Sequence, residues 1–319
     1  MKRQLAILAC ALGAATPSFA LNILISNDDG LTSNVKALYD ALKAEGHDVV
    51  ASLPCTNQSS RGAGAIMYST DKIVPDNDAA QINAASGCRS GAAPIGAPAV
   101  GRTTRPGLDT GDFHYVHGTP IMATLYGLDV VAKARWGKAP DLLLSGPNEG
   151  PNLGSIINSS GTVSNAQWAG SRGIPAIALS AGTNTVDDTT LANPLSPVIA
   201  RLSVQLLKGL QAKAGGGALL PRGIALNVNF PKAVAVDTPF AFSRIGTYDA
   251  FNVGFKNTVP YGLTLSLGGN GQPPTADQME DESVVYLTKT AVSAMQVGFE
   301  ARPAGQEWLR LRLRDVFAK

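Results

Sequence analysis

LNILISNDDG, residues 21–30, is a short apolar run that ends in a polar turn. A run of this length bounded by a turn is typical of a buried β-strand. Apolar residues then recur at helical spacing between residues 38 and 42, and a second β-branched run, DVVASL, covers residues 48–53. Strand, helix and strand at this spacing predict a βαβ unit with parallel strands.

The same alternation continues along the chain and predicts the fold class. Helical periodicity and short apolar runs take turns, which is the pattern of a doubly wound, mostly parallel, Rossmann-like α/β sheet in a single domain over residues 21–319. The predicted helices cover residues 119–131, 164–172 and 192–212, and the predicted strands cover residues 141–144, 174–179 and 224–230.

Two stretches break the alternation. Residues 61–112 are rich in Gly, Ala, Asn and Pro with little periodicity, which predicts a long surface insertion. Residues 232–319 favour a β-rich antiparallel extension, with strands over 261–267 and 283–288 and a final amphipathic segment over 308–317.

The first twenty residues have the features of a secretory signal peptide. Lys2 and Arg3 precede an apolar run, and small residues at 18–20 favour cleavage after Ala20. The alternatives are a buried N-terminal strand or helix, and a lipid-anchored form suggested by ILAC at residues 7–10. Cleavage predicts an exported protein, either periplasmic or secreted.

Charge and hydropathy argue against two classes of partner. The chain has 26 basic and 24 acidic residues, and the basic excess of two is removed with the predicted signal peptide. Without a cluster of Lys and Arg, binding to long nucleic acids through their phosphates is not expected. The rest of the chain has no apolar stretch of the length that a membrane span needs.

Three cysteines occur in the chain, and Cys10 lies in the predicted signal peptide. An isolated pair in an oxidising compartment favours a disulfide between Cys55 and Cys88. Two free thiols are the alternative, because the sequence does not show whether the two residues lie close enough to bond.

The NDDG turn at residues 27–30 places two carboxylates at a strand end. Ligands of an open α/β sheet gather at the carboxyl ends of its strands. Asp28 and Asp29 repel each other unless a cation neutralises them, and oxygen ligands suit Mg²⁺, Mn²⁺ or Ca²⁺. The alternative is an Asx turn in which Asn27 or Asp29 caps the next helix.

Further polar clusters follow other predicted strands. NQSS at residues 57–60 follows the second strand, and SGPNEGPNLG at residues 145–154 follows the strand over 141–144. SGTV at residues 160–163 begins a helix, where free backbone N–H groups and the helix dipole favour an anion. Because parallel strands end at one edge of the sheet, we expect these clusters to converge on one crevice.

These motifs resemble those of the SurE family, stationary-phase survival proteins that act as 5′/3′-nucleotidases and acid phosphatases. The matching segments occur in family order over most of residues 21–231. They are SNDDG (26–30), NQS (57–59), HGTP (117–120), PDLLLSGPNEGPNLG (140–154), SSGTV (159–163), GIPAIALS (173–180) and LNVNFP (226–231).

The resemblance implies roles for matched residues. The implied ligands of a divalent cation are Asp28, Asp29, Ser59 and Asn148. The implied phosphate-binding residues are Asn152, Ser160, Gly161 and Thr162, with Gly118 and Thr119 beside the substrate. Within these sets, the residues expected to act in catalysis are Asp28, Asn152, Ser160 and Thr162.

The implied function is metal-dependent hydrolysis of small phosphomonoesters, nucleoside 5′-monophosphates above all, in a homodimer or higher homo-oligomer. Two alternatives remain. A phosphatase of the haloacid-dehalogenase type has an aspartate nucleophile, but it needs Asp-x-Asp where this chain has Asp28-Asp29-Gly30. A non-catalytic metal or nucleotide binder is the other alternative. Pro147 and the Ser60-Arg61 pair depart from the family pattern, which bears on substrate preference.

Overall fold

A nine-stranded sheet is the centre of the molecule in a computed structural model, described for residues 20–66, 71–74, 87–186, 190–258, 260 and 262–317. The predicted signal peptide therefore lies outside the described residues except for Ala20. The strands of the nine-stranded sheet are β1 Asn22–Ser26, β2 Asp48–Pro54, β3 Val100–Arg102, β4 Phe113–Val116, β5 Leu142–Asn148, β6 Ala176–Ser180, β7 Ile224–Asn229, β8 Phe240–Ser243 and β11 Thr290–Gln296. Strands β9 Phe251–Thr258 and β10 Gly262–Gly269 form a separate two-stranded sheet.

The helices alternate with the strands in the first two thirds of the chain. They are α1 Ser33–Ala44, α2 Pro120–Tyr126, α3 Ala132–Trp136, α4 Gly161–Ser171, α5 Ser196–Ala214, α6 Glu282–Val285, α7 Pro303–Arg312 and α8 Arg314–Phe317. A π-helical segment, Gly127–Val131, joins α2 to α3. Thr32 and Ser160 cap α1 and α4, since each side chain accepts a hydrogen bond from the backbone N–H three residues later.

The strand order is β3-β4-β2-β1-β5-β6-β7-β11-β8. The six strands from β4 to β7 run parallel. From β1 the chain adds β2 and β4 on one side, and then β5, β6 and β7 on the other. The order therefore reverses between β1 and β5, which is where an open α/β sheet has its ligand crevice.

The two faces of the sheet have separate hydrophobic cores. Ile23 and Ile25 of β1 face the core that α1 and α5 cover, whereas Leu24 faces the core that α4 and the π-helical segment cover. This alternation follows from the period of two along a strand. Coverage of both faces confirms the predicted doubly wound α/β fold.

The predicted core elements are present, with shifted ends. The strand predicted over residues 141–144 continues as β5 to Asn148, with an irregularity in its pairing to β6 between Ser145 and Asn148. The Gly and Pro at residues 146–147 concealed this continuation. Strands β3, β4, β8 and β9 were not predicted. The first three have only three or four residues, and β9 contains Gly254 and polar residues on both faces, so none shows a clear alternation.

The insertion over residues 61–112 is only partly a surface feature, and residues 67–70 and 75–86 of it lie outside the described part. Ile73, Ala93 and Leu108 join the core beneath α1. Cys88 is buried and bonded to Cys55, with the two Cα atoms 4.5 Å apart. The predicted disulfide is therefore present, and it brings the segment that follows Cys88 to the sheet.

The C-terminal extension is only partly antiparallel as predicted, because β8 pairs parallel with β11. Strand β9 pairs antiparallel with β10, and β11 pairs antiparallel with β7. The strand predicted over residues 283–288 is wrong, since residues 282–285 form the short helix α6 and the strand β11 begins only at Thr290. Residues 308–317 belong to helices α7 and α8. No helix within the described residues combines the length and hydrophobicity that crossing a membrane requires.

Candidate active site

The predicted polar clusters meet at the carboxyl ends of β1, β2 and β5, beside the reversal of strand order. Asp28 and Asp29 follow β1, Ser59 lies in the loop after β2, and Asn148 ends β5. Gly62, in the same loop as Ser59, donates its N–H to the carbonyl of Ser159 at 3.0 Å. That bond brings the β2 loop to the start of α4.

Asp29 joins three of these loops through its carboxylate. Its Oδ1 accepts hydrogen bonds from Asn57 Nδ2 at 3.2 Å and Ser59 Oγ at 3.3 Å. Its Oδ2 accepts from the backbone N–H of Glu149 at 2.9 Å. The loops after β1, β2 and β5 are therefore in direct contact, which is the convergence that the sequence predicts.

Asp28 lies against the start of α4. Thr162 Oγ1 donates to Asp28 Oδ1 at 2.5 Å. A Cβ atom built on Gly161 would lie 2.7 Å from the Cβ of Asp28 and equally close to Pro120 Cγ. The close approach requires glycine at position 161, because any larger residue would separate the helix from the carboxylate.

The electrostatics of the carboxylate pair favour a cation. Burial, followed by the negative charge of Asp29, raises the pKa of Asp28 to about 7 from its ordinary 3.8, and the Thr162 hydrogen bond opposes this shift. A buried carboxylate pair is destabilised in its fully charged form. A divalent cation would neutralise both groups.

Asn148 has an acceptor that the protein does not satisfy. Its Nδ2 donates to the carbonyl of Gly150 at 2.8 Å, whereas its buried Oδ1 has no hydrogen-bond partner among the described residues. Buried polar atoms without partners are uncommon and call for a ligand, an ion or water. The amide oxygen of Asn148 therefore fits a metal ligand.

The donor set fits a hard divalent cation. Among the described residues, no three His, Cys, Asp or Glu side chains cluster as a metal site would need. A site here would combine two carboxylates with neutral oxygens, namely those of Asp28, Asp29, Ser59 and Asn148. Such oxygen sets suit Mg²⁺, Mn²⁺ and Ca²⁺ rather than softer metals.

The start of α4 supplies an anion site beside these oxygens. Ser160 is the N-cap, and its Oγ accepts a hydrogen bond from the N–H of Val163 at 3.1 Å. The first backbone N–H groups of an α-helix lack partners within the helix, and the positive end of its dipole lies there. An oxyanion beside Gly161 and Thr162 would meet these groups directly.

Gly118 and Thr119 directly precede α2, which contacts the start of α4. The contact between Pro120 and Gly161 described above brings α2 to α4. Thr119 Oγ1 is buried and has no hydrogen-bond partner among the described residues. This hydroxyl is therefore a second unsatisfied group near the crevice.

Asn152 forms hydrogen bonds to residues of β6 and β7. Its Nδ2 donates to Ser180 Oγ at 2.9 Å, and its backbone N–H donates to Asn229 Oδ1 at 2.8 Å. Its carbonyl accepts from the side chains of Asn227 and Asn229. These bonds fix Asn152 to the ends of β6 and β7, and the structure does not hydrogen-bond it to Asp28 or Ser160.

A buried ion pair behind Asp29 was not predicted from the sequence. Arg89 Nη2 lies 2.6 Å from Glu149 Oε2, and Arg89 Nη1 donates to the carbonyl of Asp29 at 2.8 Å. Arg89 directly follows Cys88, so the predicted Cys55–Cys88 bond was the available signal that a residue of the insertion reaches this edge. Glu149 belongs to the SGPNEGPNLG motif, but the sequence indicated no role for its side chain.

Comparisons with known proteins place the chain in a family. The family model described as "Survival protein SurE" matches residues 23–250. An acid phosphatase of Yarrowia lipolytica is 34% identical over 224 residues, which are 67% of this chain and 58% of that protein. The 5′-nucleotidase SurE of Thermosipho melanesiensis is 30% identical over 66% of this chain and 65% of its own length. This chain thus covers less than two thirds of either relative.

Other similar proteins match along more of their length. The 5′-nucleotidase SurE of Carboxydothermus hydrogenoformans is 27% identical over 88% of this chain and 91% of its own. The crystal structure of the SurE protein from Aquifex aeolicus superimposes with a TM-score of 0.63 at 25% identity, covering 91% of this chain and 98% of that one. The described site lies within the residues that the family model matches.

Proposed function

This chain belongs to the SurE family, and from that premise we propose that it hydrolyses phosphomonoesters in a reaction that depends on a divalent cation. The names of the relatives support this activity, since one is an acid phosphatase and others are 5′-nucleotidases. Nucleoside 5′-monophosphates are accordingly the proposed substrates.

One observation carries the proposal. Asp29 joins the loops after β1, β2 and β5, and at the end of β5 the buried Oδ1 of Asn148 has no hydrogen-bond partner among the described residues. A buried acceptor without a partner and a pair of buried carboxylates are each costly, and one cation bound by all three groups would offset both costs.

The proposed cation ligands are Asp28, Asp29, Ser59 and Asn148. When bound, a divalent cation supplies a Lewis acid for a phosphate oxygen and lowers the pKa of a water molecule to the range in which it is a nucleophile at neutral pH. The Thr162 hydroxyl holds the carboxylate of Asp28 by its hydrogen bond. Ser59 and the Glu149 N–H hold Asp29 in the same way.

The α4 terminus has a separate task in the proposed reaction. In the transition state of hydrolysis the negative charge of the transferred phosphoryl group is spread over its equatorial oxygens, and preorganised N–H groups stabilise such charge. The N–H groups of Gly161 and Thr162 supply this stabilisation, with the Ser160 and Thr119 hydroxyls beside them. Because Asn152 is bonded to β6 and β7, its proposed part is to hold the residue 152–155 loop in place rather than to bind phosphate through Nδ2.

We further propose export and self-association. The signal-like segment and the Cys55–Cys88 disulfide both favour an oxidising compartment. An exposed apolar face of the β9–β10 hairpin, described below, favours a homodimer or a higher homo-oligomer.

The test is release of inorganic phosphate from AMP by the purified chain. We expect hydrolysis that EDTA abolishes and that Mn²⁺ or Mg²⁺ restores. Binding of AMP without phosphate release at any metal concentration would instead identify a non-catalytic nucleotide binder. Phosphate release that continues in EDTA would contradict the proposed dependence on a divalent cation.

A further inference from the structure

The guanidinium of Arg89 links the two strand-end loops that supply the proposed cation ligands. Nη1 donates to the carbonyl of Asp29, after β1, and Nη2 pairs with the carboxylate of Glu149, after β5. Asp29 Oδ2 in turn accepts the N–H of Glu149. Arg89, Asp29 and Glu149 therefore form a closed ring, which we name the Arg89 ring.

The Arg89 ring is shielded from solvent. The side chain of Arg89 is 2% exposed and that of Glu149 is 4% exposed. The stem of Arg89 lies over Gly30, where an added Cβ would be 3.5 Å from the Cβ of Arg89 and 3.0 Å from the carbonyl oxygen of Pro54. A buried guanidinium forms stronger hydrogen bonds with its partners than one at the surface, because water does not compete for these bonds.

The disulfide fixes the backbone of Arg89. Cys88 is bonded to Cys55 at the end of β2, and the N–H of Arg89 donates to the carbonyl of Cys55 at 2.7 Å. Ser90 Oγ donates to the carbonyl of Leu31 at 2.8 Å. Residues 88–90 are thus attached to the β2 end by a covalent bond and to the β1 loop by side-chain bonds.

The charges of the site also involve Arg89. Asp28, Asp29 and Glu149 are three carboxyl groups, and Arg89 is the cation paired with one of them. The guanidinium therefore balances Glu149, and a divalent cation would balance the remaining pair. The pair with Arg89 engages the Glu149 carboxylate, and the two bonds of the guanidinium connect the loop after β1 to the loop after β5.

We propose that Arg89, held by the Cys55–Cys88 disulfide, is a positioning residue that sets the affinity of the site for its divalent cation. The inference rests on the proposed function, because it assumes that Asp28, Asp29, Ser59 and Asn148 bind a cation. Reduction of the disulfide to two thiols by an external dithiol, which is itself oxidised to a disulfide, frees residues 88–90 and lowers the affinity.

The first experiment measures Mn²⁺ binding by isothermal titration calorimetry, with Mn²⁺ alone as the ligand. The variant Arg89→Met/Glu149→Met removes both charges, so no buried charge is left unpaired. We expect its dissociation constant for Mn²⁺ to rise at least about tenfold, the usual effect of losing a group that orients metal ligands. Turnover of AMP at saturating Mn²⁺ stays close to that of the wild type, because Arg89 acts on affinity.

Arg172→Met/Asp129→Met is the matched control. It removes an exposed arginine–aspartate pair, 2.7 Å apart, at the far end of α4, and Mn²⁺ affinity is expected to stay unchanged. Circular dichroism in EDTA reports whether each variant folds. If Arg89→Met/Glu149→Met does not fold, Mn²⁺ affinity is measured for Arg89→Lys instead. A lysine keeps a positive charge for Glu149, but it lacks the second N–H group that reaches the carbonyl of Asp29.

The second experiment tests the part of the disulfide. We expect Cys55→Ser/Cys88→Ser to weaken Mn²⁺ binding in the wild-type background and to have no further effect in the Arg89→Met/Glu149→Met background, because the two changes act through one contact. Equal effects in both backgrounds would show that the disulfide acts independently of Arg89.

The outcomes separate the two proposals. A wild-type protein that binds no Mn²⁺ contradicts the proposed function. A wild-type protein that binds Mn²⁺, together with Arg89 variants of unchanged affinity, overturns the positioning role alone.

Discussion

At the scale of single residues, Asp28 and Asp29 are a buried pair of adjacent carboxyl groups. Their exposed fractions are 3% and 2%, and the charge of Asp29 adds to burial in raising the pKa of Asp28. Two adjacent carboxylates in a dry site weaken the fold unless they are protonated or neutralised. The proposed cation explains why the chain keeps both.

Replacing Asp28 by Asn removes both the electrostatic repulsion with Asp29 and the carboxylate that the cation would bind. We expect Asp28→Asn to lower metal-dependent release of phosphate from AMP by at least about 100-fold, the rate equivalent of a few kcal/mol of lost stabilisation. The thermal unfolding midpoint in EDTA stays the same or rises, because the repulsion with Asp29 is gone.

The control for this variant is Asp129→Asn, which changes an exposed carboxylate that pairs with Arg172. We expect it to keep full activity. An active Asp28→Asn protein would exclude Asp28 from the metal site.

The residues that the sequence predicted for the site lie at the ends of strands, in the loops after them or at the starts of helices. Asp28, Ser59 and Asn148 belong to recognisable polar motifs, and the parallel sheet brings strand ends to one edge. Arg89 was not predictable in this way, because it lies 60 residues from Asp29 in a stretch without periodicity. Its position depends on a disulfide that the sequence only suggests.

At the scale of elements, helix α6 shows why a β-branched run is not always a strand. Val284 and Val285 favour a strand by propensity. Glu282 instead enters the interior, where its Oε1 accepts the N–H of Gly154 at 2.9 Å and its Oε2 accepts Asn227 Nδ2 at 2.9 Å. These long-range bonds override the local preference, and they attach the C-terminal extension to the residue 152–155 loop.

Glu282 gives stability a specific dependence on pH. Burial raises its pKa to about 7 from 4.5, despite the hydrogen bonds that oppose the shift. Between these values the folded chain holds a proton that the unfolded chain has lost, so the contribution of Glu282 to stability falls as the pH rises from about 4.5 through 7.

The variant Glu282→Gln removes this titration. We expect the difference in unfolding free energy between the variant and the wild type to change by up to about 3 kcal/mol in favour of the variant between pH 4.5 and pH 8. Urea unfolding at the two pH values measures it. A difference that does not vary with pH would show that Glu282 has the same pKa in the folded and the unfolded chain.

At the scale of the whole molecule, the β9–β10 hairpin presents an apolar face to solvent. Phe255 lies opposite Leu265, and Val253 lies opposite Leu267, with Leu263 on the same face. Their exposed fractions run from 56% to 70%. Contiguous apolar faces of this kind mark interaction surfaces, and we expect a second copy of the chain to cover this one.

Charged substitutions on that face test the expected association. We predict that Phe255→Asp/Leu265→Asp lowers the solution mass measured by light scattering, toward that of a monomer. The matched control is Asn252→Asp/Thr264→Asp, which places the same charges on the opposite face of the hairpin. A wild-type protein that is monomeric at high micromolar concentration would contradict the expectation.

The central parallel strands were predictable from the sequence, whereas the edge strands and the packing of the insertion were not. Strands β1, β2, β5, β6 and β7 each contain a short apolar run of the kind that burial on both faces favours. The edge strands β3 and β8 are short and follow from pairing with neighbours rather than from their own sequence. The packing of the insertion likewise follows from one disulfide and a few apolar contacts.

The central claim is that Asp28, Asp29, Ser59 and Asn148 share one divalent cation. Anomalous diffraction from crystals grown with Mn²⁺ tests it most directly. The account predicts one strong peak, with the side-chain oxygens of all four residues at about 2.0–2.6 Å, the range of hard divalent cations with oxygen ligands. A peak that Asp28 and Asn148 do not both contact, or no peak at this edge of the sheet while the protein is active, would contradict it.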